Sequence, residues 1–269
     1  MAATLTFWAL LTRTAIGIFA LQILLDRELL GKLFFRVNTW VAIGLLAVGL
    51  AFRLPGVLNA SESISPGVGQ AWLSLLLYFG CLVLFLAYLL SLKRARSSWA
   101  NRVQVLFLPL GVASLVVDSL TGLQEPTPVA MALVPLSALT SSFLLGSAML
   151  AMMLGHWYLV LANLSIRLLA RATIAFILAS LVRAGALGAT LMLYPLPEAV
   201  SLEGPAGIFL VVRVLFGILG PIVISVLIWK TVKLRSTQSA TGLLYVAVAF
   251  VLVGEMVASY LLFVDGVPV

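Results

Sequence analysis

Apolar residues run through this chain in long blocks, and polar residues appear mainly as short interruptions between them. Eight blocks are near the ~20 residues that an α-helix needs to cross the hydrocarbon core of a bilayer. They run Leu5–Leu25, Val37–Leu54, Ala71–Leu92, Val103–Leu120, Val129–Met153 with an extension to Leu161, Leu168–Tyr194, Gly207–Trp229 and Thr241–Val264. The pattern predicts an all-α fold, a polytopic helix bundle of about eight transmembrane helices making one transmembrane domain over 1–269. No interruption is long enough for a soluble domain. Whether Gly155–Arg171 extends the fifth helix or forms a loop is left open by the pattern.

The interruptions alternate in charge. The first holds Arg27, Lys32 and Arg36 against Asp26 and Glu28; the third holds Lys93, Arg94, Arg96 and Arg102. The fifth holds Arg167 and Arg171, and the seventh Lys230, Lys233 and Arg235. The even ones carry only Glu62, then Glu125, then Glu198 and Glu203. The positive-inside rule places the odd loops in the cytoplasm, so both termini are expected outside. Turn formers mark the other side: Pro55-Gly56, Pro66-Gly67, Pro126 with Pro128, and Pro195 with Pro197 are expected to break helices there. Trp40, Trp72, Trp99, Trp157 and Trp229 fall near expected interfaces. Ser236, Thr237, Ser239 and Thr241 precede the last stretch and are expected to cap it.

Composition supports the membrane reading. Hydrophobic residues make up 63% and charged residues 9%, against about 25% charged in soluble domains. Such a chain cannot cover a water-facing surface, so its apolar excess must meet lipid. The formal charge of +7 is spread through topology-setting loops, which gives no basic domain for nucleic acid. The Ala/Leu-rich, short-loop style points to a prokaryotic cytoplasmic (inner) membrane. Arg13 in the middle of the first stretch, with no basic segment before it, argues against a cleaved signal peptide.

Little cofactor chemistry is available. Cys81 stands alone, which leaves no internal disulfide and no cysteine-based metal site. His156 is the single histidine, so bis-histidine haem is excluded and haem is not expected. There is no phosphate-binding glycine loop with a lysine, no metalloprotease motif and no nucleophile elbow. No nucleophile stands beside a base, so the chain is not expected to be catalytic on its own.

Five ionisable residues stand out inside the apolar blocks, where each costs several kcal/mol unless paired or hydrated. They are Arg13, Asp118, Arg183, Arg213 and Glu255. With the topology applied, all five fall in the middle-to-outer part of the bilayer and could make one network. One reading is internal ion pairing, for instance Arg183 with Glu255. The other is a ligand-binding cavity for an anionic or carbonyl-bearing molecule. Arg13 could instead snorkel to the surface and Asp118 sit at the interface.

Gly155-His156-Trp157-Tyr158, at the opposite end of the bundle, combines a proton-exchanging imidazole with flat aromatic faces. His156, Trp157 and Tyr158 could contact a quinone, or act as an interfacial anchor. Gly44 with Gly49, Ser141, Ser142, Gly146, Ser147, and Gly185 with Gly188 suit close helix packing. Gly217, Gly220 and Pro221 predict a kink, as do Pro109 and Pro135. Met149, Met152 and Met153 read as filler.

Two functions follow as expectations. The first is a non-catalytic multi-pass subunit of a respiratory or other electron-transfer assembly, held by partner subunits and contacting a quinone. The alternative is a secondary transporter or permease for a small anionic substrate, using the outer-half Arg/Glu residues.

Overall fold

A computed structural model describes residues 2–62, 68–93, 97–121, 127–161, 164–194, 200, 204 and 206–269. The charged positions Arg94, Arg96, Glu125, Glu198 and Glu203, and the turn formers Pro66-Gly67, Pro126, Pro195 and Pro197, lie outside the described residues. Among those described there are helices and no strands. The helices are α1 Ala2–Leu21, α2 Arg27–Glu62, α3 Val68–Lys93, α4 Ser97–Leu120, α5 Pro128–Val160, α6 Ile166–Leu193, α7 Gly207–Val214, α8 Gly220–Lys233 and α9 Thr237–Asp265. A π-helical turn, Leu215–Leu219, joins α7 to α8 without a break. Counted as spans, eight helices are long and apolar enough to cross a membrane.

Helix α5 is the centre of the bundle. It packs against α1, α4, α6 and α9, while α2 and α3 extend from α1 and α4. Bare backbone permits the tightest of these contacts. A Cβ on Gly17 of α1 would run into the Ser142 carbonyl and lie 2.9 Å from Gly146 Cα on α5. The Ser142 hydroxyl donates to the Arg13 carbonyl across the same crossing at 2.8 Å. Gly217 and Gly254 make a second crossing, between the π-turn and α9.

Several expectations from sequence need correction. The second stretch begins at Arg27, ten positions before Val37, with a break at Gly31 (φ 73°, ψ 161°), a backbone region that needs glycine. Arg27 is therefore not a solvated loop charge. Its guanidinium lies 5.2 Å from the Tyr88 ring centre and hydrogen-bonds Asn101 and Gln104, so it ties α2 to α3 and α4. Pro55 does not end α2, which continues to Glu62; the carbonyl that Pro55 deprives of a donor belongs to Ala51, which is exposed. Pro109 and Pro135 sit inside α4 and α5, where kinks rather than breaks are expected. The serines and threonines before α9 do not cap it: the Ser236 hydroxyl donates to the Ser239 hydroxyl, and Thr241 bonds back to the Thr237 carbonyl. The open segment 155–171 resolves into both possibilities, since α5 runs to Val160 and α6 starts at Ile166.

The kink expected around Gly217, Gly220 and Pro221 takes the form of the π-turn. Pro221 has no N–H, so the Gly217 carbonyl four residues earlier loses its α-helical donor. After α9, Gly266 turns the chain in the left-handed conformation (φ 72°) and the tail folds back on the bundle, burying Val267 and Val269.

Candidate functional site

The charged residues separate two apolar clusters. A large one fills the space among α1–α6, α8 and α9; a smaller one gathers Leu187, Leu210, Val257, Leu261, Val267 and Val269. Along α6, Arg183 falls between Ala179 of the first and Leu187 of the second; along α9, Glu255 falls between Val251 and Val257. Arg183 stands 17 residues beyond Ile166, and Glu255 stands 18 beyond Thr237. At 1.5 Å rise per residue both lie about 26 Å along helices that start at the same end, which is why they meet.

Arg183 and Glu255 are both fully buried and joined fork to fork. Nε donates to Oε1 at 2.9 Å and Nη2 to Oε2 at 3.0 Å. Nη1 donates to Ser137 at 3.0 Å and to Thr140 at 3.3 Å, both on α5. Nη2 also donates to the Val269 carbonyl at 2.9 Å. A guanidinium has five N–H donors, and here all five have acceptors. Arg183 is thus saturated: it clamps α6, α9, α5 and the tail together.

Arg213 shares the burial and the carboxylate of Arg183 but not its hydrogen bonds. Its Nη1 lies 3.1 Å from Glu255 Oε1, close enough for an ion pair. Its N–H is poorly aligned on that oxygen, however, and Nε and Nη2 have no hydrogen-bond acceptor among the described residues. The side chain folds against the Gly217–Gly254 crossing, where a Cβ on Gly217 would strike Nη1. Ser141, also buried, faces Glu255 from α5.

Arg13 is 5% exposed, so it does not snorkel outward. Its Nη1 reaches Ser259 of α9 at 3.4 Å, a long contact. Among the described residues the cluster therefore brings together Arg13, Arg183, Arg213 and Glu255, with Asp118 also within electrostatic reach of Arg13.

Asp118 belongs to a different group. Trp8 Nε1 donates to its two oxygens at 3.0 and 3.2 Å, and the Tyr78 hydroxyl lies 3.5 Å away. Arg53 of α2 approaches it as well. Among the described residues no arginine pairs with Asp118 directly.

His156, Trp157 and Tyr158 point to three places, as consecutive helical residues must. His156 is exposed, with Nδ1 3.2 Å from the Tyr245 hydroxyl. Trp157 packs edge-on against Phe34. The Tyr158 hydroxyl donates to the Ser165 carbonyl and accepts from Leu169 N–H, closing the α5–α6 turn. A groove of about 960 Å³ runs beside it, lined by Ser165, Arg167, Arg235, Gln238 and Tyr245 among others. Among the described residues no group of three His, Cys, Asp or Glu side chains could hold a metal.

Sequence reasoning missed Ser137, Thr140, Ser259, Trp8 and Arg53. The serines and threonines carried a usable signal: polar side chains on an otherwise apolar helix, on the face that meets the arginines. Comparison with known protein families, with curated proteins and with solved structures finds no match.

Proposed function

We propose that the protein is a permease for a small anion in a prokaryotic cytoplasmic membrane, with both termini outside. Arg213 carries the reading. It is fully buried, yet beyond its ion pair with Glu255 its Nε and Nη2 have no acceptor among the described residues. Unsatisfied buried charged donors are costly, and native proteins retain them mainly where they serve a purpose. Three buried guanidiniums against one carboxylate leave positive charge for an anion to meet. The π-turn next to Arg213 supplies an adjustable segment beside the site. The orientation rests on Lys93, Arg102, Arg167, Arg171, Lys230 and Lys233, all near one end of the alternating helices.

Reconstitution tests it. Purified protein in liposomes is expected to admit small anions, and Arg213→Gln is expected to abolish uptake while the protein still folds. Wild-type liposomes no more permeable to anions than protein-free ones would overturn the proposal.

One observation favours the second reading, a quinone-contacting membrane subunit of an electron-transfer assembly. The His156–Tyr245 contact stands beside the large groove, which gives a quinone carbonyl a donor at its edge. Quinone or partner subunits retained through gentle purification would favour it; their absence would count against it.

A further inference from the structure

We infer that the anion seated at Arg213 is a small planar oxyanion, of the carboxylate or nitrate type. This rests on the anion-permease reading and narrows it.

The donor geometry argues for an oxyanion. A guanidinium presents its N–H groups as a rigid fork that matches two oxygens in one plane, whereas a halide takes only a point contact. Arg213 Nη1 faces Glu255, but among the described residues Nε and Nη2 have no acceptor, so that edge of the fork, which can hold two oxygens, is available. Arg183 is excluded as the seat because its five donors are used. Two hydroxyls belong to the same cluster: Ser141, which faces Glu255, and Ser259, 3.4 Å from Arg13 Nη1. Both can turn a proton toward an oxygen.

The surroundings argue for a small, flat molecule. The guanidinium lies against two glycines whose backbones touch, so one wall is backbone with no side chain projecting from it. Arg183, Arg213 and Glu255 are 0% exposed and Arg13 5%. Neither the groove beside Tyr158 nor the apolar hollow between α2 and α3, lined by Leu50, Trp72 and Phe79, is at this site. A long or branched anion would have to part α7 from α9. Glu255 sets the charge limit: its carboxylate, 3.1 Å from Arg213, repels an anion bearing several charges more than a monoanion.

The test uses the full chain, purified in detergent at low salt. Its thermal unfolding is followed with sodium nitrate, formate, chloride and citrate at matched sodium concentration. Nitrate and formate are expected to raise Tm, and chloride and citrate to do so weakly or not at all. In Arg213→Lys, which keeps the charge and loses the fork, the Kd for nitrate and formate is expected to rise about tenfold or more. If Arg213→Lys does not fold, the wild-type order of anions decides alone. Protection by chloride as strong as by nitrate would overturn the planar-oxyanion assignment and leave the anion-binding reading standing. No protection by any anion, with no uptake in liposomes, would remove both.

Discussion

Replacing Glu255 by glutamine is expected to cost about 3–5 kcal/mol of folding stability, the usual loss when one partner of a buried ion pair is removed. The carboxylate faces both Arg183 and Arg213, and all three side chains are fully buried. Glutamine keeps the shape but leaves two guanidiniums in an apolar interior without a counter-charge. Arg213→Gln is expected to cost clearly less. It removes a cation whose donors have no aligned acceptor, and Glu255 keeps its two hydrogen bonds from Arg183. Arg183→Gln should resemble Glu255→Gln, since it empties contacts to α5, α9 and the tail together. Unfolding in mixed micelles, followed by loss of helical signal, gives the order. Equal losses for Arg183→Gln and Arg213→Gln would contradict the division into a saturated arginine and one with donors to spare. On the permease proposal, that division would exchange stability for function.

The second large effect is expected at the α1–α5 crossing. Gly17→Val should exceed the ~1–3 kcal/mol typical of core overpacking. The obstacle is the Ser142 carbonyl and the Gly146 backbone, not a side chain that can turn away. Moving α1 outward would also break the Ser142–Arg13 carbonyl hydrogen bond and withdraw the Arg13 side chain from Ser259. The loss should therefore appear in anion protection as well as in stability. Gly44→Ala and Gly185→Ala are the controls. Neither Cβ would meet anything within 4 Å, so each is expected to be neutral or stabilising by up to about 1 kcal/mol from helix propensity alone. Thermal unfolding of the three variants side by side checks this. A Gly17→Val protein as stable as the Gly44→Ala control would mean that α1 and α5 do not cross on bare backbone.

The five intramembrane charges were legible as outliers in apolar blocks, because a charge in lipid demands an explanation wherever it stands. Their grouping was only partly legible. Arg183 and Glu255 lie at matching distances from helix starts that share one end, and that matching can be counted along the chain. Which arginine is saturated could not be counted. It depends on Ser137 and Thr140 arriving from α5 and on the tail returning over α6. The same holds for Asp118, whose depth resembles that of the cluster but whose partners are Trp8 and Tyr78. Turn signals misled at Pro55, where a helix with an exposed carbonyl to spare absorbed the proline. At Gly220-Pro221 they pointed to the right place, and the outcome was a π-turn rather than a break.

By itself the sequence determined that this is a chain of eight apolar helices with most of its basic residues collected in alternate connections. Both properties are sums over many residues, and hydrophobic length and charge alternation survive any error in a single contact. Only the tertiary structure decided that one buried arginine is fully hydrogen-bonded while its neighbour, just as deeply buried, has donors to spare. That difference turns on which acceptors arrive from four helices and how they are aimed, and no pattern along one chain encodes it.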